Sequence, residues 1–143
     1  MYDALTITNY IISYYKKRNY GVSNLKLQKI LYFLQALFLI KKDCELFDEE
    51  IEAWGFGPVV PSVYRKYIQF GCMDIPTKDI DEPFIDNETK TIIDSFLERV
   101  KDMSSTYLTD ITLHQKPWAQ NYIKDKKEII LKKEIRKYFL KIK

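Results

Sequence analysis

The sequence is poor in the residues that staple or punctuate small folds. It holds 2 cysteines, 4 glycines, 5 prolines and a single histidine in 143 residues. Cys44 and Cys72 form no CxxC pair, and with His114 alone beside them no zinc site of the His/Cys type has enough ligands. The scattered Gly and Pro exclude collagen-like and low-complexity classes. No G-x-S-x-G, G-x-x-x-x-G-K-[ST], H-E-x-x-H or G-x-G-x-x-G occurs, so no nucleophile–base pair or phosphate cradle is recognisable. Ile30 to Ile40, interrupted by Gln35, is the most apolar stretch and is too short to span a bilayer. The start, Met1-Tyr2-Asp3-Ala4, has no basic leader pattern. These absences predict a cytoplasmic, non-enzymatic chain with no membrane partner, no metal and no cofactor. Free buried thiols are expected over a Cys44–Cys72 disulfide.

Apolar residues make up 46% of the chain and aromatic residues 15%, which suffices for a core without staples. One domain over 1–143 is expected. Net charge is +3, unevenly spread. Residues 1–42 and 124–143 are basic, and residues 43–102 are acidic. Either the basic ends pack beside the acidic middle and neutralise it, or the surface divides into two charged lobes suited to a charged protein or a nucleic acid.

The periodicity predicts a mainly α fold of about six or seven helices with one small β-hairpin. Helices are expected over 3–18, 24–42, 61–70, 88–103, 106–115, 117–124 and 132–142. Leu27, Leu31 and Leu34 lie on the stripe of a helix that is apolar almost all round, which places it at the centre. The hairpin is expected over 46–54, with Leu46-Phe47 in one strand and Glu50 to Trp54 in the other. Residues 72–86 read as a loop. The acids of the hairpin read as a solvated edge rather than a Mg²⁺ site. His114, close to Pro117-Trp118, reads as a structural hydrogen-bonding group.

The stretch Trp54-Gly55-Phe56-Gly57-Pro58 leading to Tyr64 sets large aromatic groups around a stiff Gly/Pro corner. Such a corner closes a core, presents a preorganised protein-binding surface, or does both. Lys26, Gln28 and Lys29, with Tyr32, are candidates for partner contact or for support of the corner. Lys26, Lys29 and the basic tail also keep open a DNA-binding alternative, a transcriptional regulator, although the acidic hairpin would repel phosphate.

At this corner the chain resembles a known family. The run Ser23-Asn24-Leu25-Lys26-Leu27-Gln28-Lys29-Ile30-Leu31-Tyr32, then Leu46-Phe47, Ile51-Glu52-Ala53-Trp54 and Gly57-Pro58-Val59-Val60-Pro61 with Tyr64, is similar to the Panacea domain family of antitoxin-like, phage-associated proteins, the GepA and SocA-like group. His114, Pro117-Trp118 and Glu134-Ile135 to Tyr138-Phe139 extend the similarity, with Leu113 where the family has Thr. The resemblance implies a helical domain with a small β element and no catalysis. It implies a cognate protein toxin as partner and neutralisation by direct binding. It also implies, as one route, an adaptor role that delivers the toxin to an AAA+ protease. The motif residues it marks are Lys26, Gln28, Lys29, Tyr32, Trp54, Gly57, Pro58, Tyr64, His114 and Trp118.

Overall fold

A computed structural model of the chain describes residues 1–142. The fold is mainly α, with seven helices and a small three-stranded sheet among those residues. Helix α1 (Ala4–Lys17) starts at Asp3, whose side chain accepts from Thr6 N–H. The Glu49 carboxylate also accepts from Ala4 N–H, at 3.0 Å to each oxygen, so the first turn has two acidic caps. Arg18 ends α1, and Val22 leads to Ser23, which caps α2 (Asn24–Lys41) through Lys26 N–H.

Helix α2 is the centre of the molecule. Leu27, Ile30, Leu31, Tyr32 and Leu34 are fully buried, as the continuous apolar stripe predicts. It packs against α1, α3 (Pro61–Tyr67), α4 (Asn87–Val100), α5 (Ser105–Leu113) and α7 (Lys132–Ile142). Pro61 opens α3 at a position that needs no N–H, and a 3-10 turn, Ile68–Phe70, extends it to Gly71. Asp86 caps α4 and Ser104 caps α5, each by accepting a backbone N–H three residues on. The loop expected over 72–86 holds no helix or strand.

The hairpin is displaced from its predicted place. Strand β1 (Ile51–Trp54) turns at Gly55-Phe56 and pairs antiparallel with β2 (Gly57–Val59). Leu46 and Phe47 lie outside the sheet. The buried Gln35 side chain occupies their backbone groups: its Oε1 accepts from Leu46 N–H at 2.8 Å, and its Nε2 donates to Phe47 O at 2.7 Å. A third strand, β3 (Glu128–Ile130), pairs with the other edge of β1, giving the order β2-β1-β3. The sequence pattern placed no strand there. The helix expected over 117–124 shortens to α6 (Lys116–Ala119), because the Asn121 side chain turns back to donate to Pro117 O.

The inner face of the sheet, Ile51, Ala53 and Ile130, is fully buried. The basic tail meets the acidic middle: Lys132 bridges to Glu45 at 2.6 Å, and Arg136 to Asp43 at 2.9 Å. Cys44 and Cys72 are free and exposed rather than buried. No helix among the described residues is long and apolar enough to cross a membrane.

Candidate partner-binding site

The polar residues at the start of α2 point inward, at the corner. Asn24, Gln28, Lys29 and Tyr32 recur at helical spacing and share one face. Gln28, fully buried, accepts from Val60 N–H through Oε1 at 2.8 Å and donates to Asn24 Oδ1 at 3.0 Å. Asn24 in turn donates to Tyr64 O at 3.0 Å. This relay clamps both ends of the β2–α3 junction. Val60 and Tyr64 therefore find partners for backbone groups that would cost about 1–3 kcal/mol each if left buried and unmade.

Lys29 is the second clamp. Its side chain is fully buried, its Nζ donates to Pro58 O at 3.0 Å, and the ammonium lies 5.4 Å from the Phe56 ring centroid. No acidic side chain among the described residues forms an ion pair with it. Burial pushes its pKa from the ordinary 10.5 down to about 7. The stem of Lys29 also explains Gly57. A Cβ on Gly57 would lie 2.8 Å from Lys29 Cε and 2.9 Å from Thr112 Oγ1, and the Gly57 φ is +108°. Only glycine lets the chain pass over the lysine in this conformation.

Tyr32 reaches the far side of the corner, donating to Gln115 Oε1 at 2.7 Å, and burial pushes its phenol well above the ordinary range. Gln115 N-caps α6, and Trp118 in that turn donates to Trp54 O at 2.7 Å. Trp118 also stacks on Tyr122, with centroids 4.7 Å apart. Trp54, Phe56 and Tyr64 form a half-buried aromatic triangle, with centroids 5.1 to 5.9 Å apart. The Trp54 indole N–H donates to Glu52.

Eight of the ten motif residues thus meet around one hairpin: Gln28, Lys29, Tyr32, Trp54, Gly57, Pro58, Tyr64 and Trp118. Two lie apart. Lys26, mostly buried, donates to Lys101 O at 3.0 Å beyond the end of α4. Desolvation lowers its pKa, although Asp102 and Asp74 oppose the shift. His114 is exposed at the end of α5, and its Nδ1 donates to Asp110 O at 2.8 Å.

Gln28 and Lys29 are supports of the corner, since neither exposes a polar atom to a partner. The aromatic triangle is what the corner shows outward. Asn24, Thr112 and Gln115 belong to the same network and were not singled out from the sequence. Asn24 sits in the run of residues 23–32 one turn before Gln28, which is the signal that could mark it. Thr112 and Gln115 carry no local signal.

Among the described residues no three His, Cys, Asp or Glu side chains gather as a metal would require. Residues 27–119 match the Antitoxin SocA-like, Panacea domain family. The chain belongs to this family. The matched span contains the whole corner and every Panacea motif residue except Lys26. Over 63 residues the chain is 43% identical to Antitoxin SocA of Caulobacter vibrioides (strain NA1000 / CB15N), an alignment that spans 44% of this chain and 34% of that relative. The alignment therefore reaches about a third of the length of the relative. No solved structure matches the chain.

Proposed function

We propose that this Panacea-domain chain is an antitoxin, acting as one domain over 1–143. It neutralises a cognate protein toxin by binding it directly and performs no chemistry of its own. The match of residues 27–119 to the antitoxin family carries this reading. The corner gives it a physical form. A hairpin locked from behind by Gln28, Lys29 and Trp118 presents Trp54, Phe56 and Tyr64 with little conformational freedom left to lose on binding. Aromatic anchors on a rigid support are the groups that dominate protein interfaces. The cytoplasm is the compartment this role calls for. Delivery of the bound toxin to an AAA+ protease is the second stage we propose.

Co-expression with the protein encoded beside its gene tests the reading. Growth rescue should come with a complex that co-purifies. If delivery follows binding, the toxin level falls in cells that carry the protease and holds steady in cells that lack it. Rescue with neither a complex nor a fall in toxin level contradicts both stages. Retention of plain duplex DNA that weakens with salt would then favour an operon regulator.

A further inference from the structure

The sheet is closed on one side and open on the other. Strand β2 is buried along its whole length, whereas the outer edge of β3 pairs with no strand among the described residues. Ile129 stands opposite Glu52 on the outer face while Ile130 points into the core, and Leu131 follows at the start of α7, where its carbonyl accepts from Glu134 N–H and Ile135 N–H. Ile129 and Leu131 are 44% and 43% exposed. At the start of β3 a cavity of about 410 Å³ opens between Trp54, Phe56, Tyr122, Asp125, Lys126 and Lys127. The Lys127 ammonium lies 4.9 Å from the Trp54 ring centroid.

The charge around this edge has one dominant sign. Residues 124–133 carry Lys124, Lys126, Lys127, Lys132 and Lys133 against Asp125 and Glu128. Lys132 is committed to Glu45 and Glu50, but the lysines before β3 face solvent. Nearby Glu52 already accepts the Trp54 indole N–H.

We propose that β3 and the aromatic cavity at its start form a docking site for an extended, acidic segment of a protein partner, which adds to the sheet as a fourth strand. The open edge supplies backbone hydrogen bonds, Ile129 and Leu131 supply an apolar track, and the cavity takes one large apolar side chain. A short edge strand flanked by lysine also resists pairing with neutral or basic strands. The same lysines attract an acidic one, and edge protection alone gives no reason for two exposed aliphatic side chains beside an aromatic cavity. The proposal rests on the antitoxin reading in one respect: the segment belongs to the toxin.

Two blocked peptides of about nine residues, one alternating Glu with Val and one alternating Lys with Val, separate the possibilities. They are added to the full chain at about 50 mM salt, where surface charge is weakly screened. The Glu-Val peptide should slow hydrogen exchange at the Ile129 amide by about tenfold and change the tryptophan fluorescence of the full chain, a change that a Trp118→Phe background keeps and so assigns to Trp54. The Lys-Val peptide should do neither, and the double variant Lys126→Glu, Lys127→Glu should lose the response. Equal effects of both peptides, no effect of either, or protection confined to the groove that Pro117 and Gln120 line with Tyr138 and Ile142 between α6 and α7 would overturn the docking site. A single-stranded oligonucleotide that changes Trp54 fluorescence at lower concentration than the Glu-Val peptide would overturn it too. Co-expression keeps the two readings apart. Rescue that survives in the double variant removes the docking site and leaves the antitoxin standing. Failure of the wild-type chain to rescue, with the peptide response intact, removes the antitoxin reading alone.

Discussion

Replacing Gly57 with valine should lower the unfolding free energy by about 4 kcal/mol, the sum of backbone strain and overpacking that are each about 1–3 kcal/mol. The Gly57 φ of +108° is one that a β-branched residue resists. The new side chain would also meet Lys29 Cε at 2.8 Å and Thr112 Oγ1 at 2.9 Å. A lysine stem on a surface would simply swing away. This one is fully buried and held at Pro58 O, so the strain falls on the hairpin. Alanine at the same position should cost about half as much, since it lacks the branched carbons. Urea unfolding reads both values. A Gly57→Val midpoint equal to the wild type would mean that the corner is not closed over Lys29.

Lys29 should make stability depend on pH in an unusual direction. A lysine ordinarily titrates near 10.5, and burial holds this one near 7. Between those values the unfolded chain binds the proton and the folded chain releases it, so stability rises with pH. The burial penalty is at its full size below pH 7, where both states are protonated. It is relieved as pH climbs towards 10.5. Replacing Lys29 with methionine keeps the stem and removes the titration. The wild type should therefore gain about 3 kcal/mol on the Lys29→Met variant between pH 7 and about pH 9.5. Buried phenols such as Tyr10 and Tyr15, raised by burial, lower the stability of both chains alike above about pH 10 and leave the difference to Lys29. A constant difference across the window would show that the Lys29 amine is hydrated.

The helices were legible because their signals are local. Asp3, Ser23, Asp86 and Ser104 each cap a helix that an apolar period already marks. The hairpin was misplaced because Leu46-Phe47 has the look of a strand, and nothing in the local pattern shows that Gln35, on another element, takes its hydrogen bonds. Strand β3 was missed because three residues that pair with Ile51–Ala53 leave no local trace. The sequence leaves Lys26, Gln28 and Lys29 open between partner contact and support of the corner, since polarity in sequence does not reveal a buried backbone acceptor. Pro58 O and Val60 N–H become visible only when the corner folds over them. The charge asymmetry left two outcomes open, and the ion pairs of Lys132 and Arg136 with the 43–50 segment show partial neutralisation.

Asn24, Gln28 and Lys29 hold the corner from within, and we propose that the surfaces outside it meet the partner. Equilibrium unfolding of Gln28→Met tests this most directly. Methionine nearly preserves the volume and orphans Val60 N–H and the Asn24 amide oxygen. The account predicts a loss of about 2 kcal/mol, with an unchanged denaturant slope. A Gln28→Met chain as stable as the wild type, yet unable to hold its toxin, would make the signature a contact surface and contradict the account.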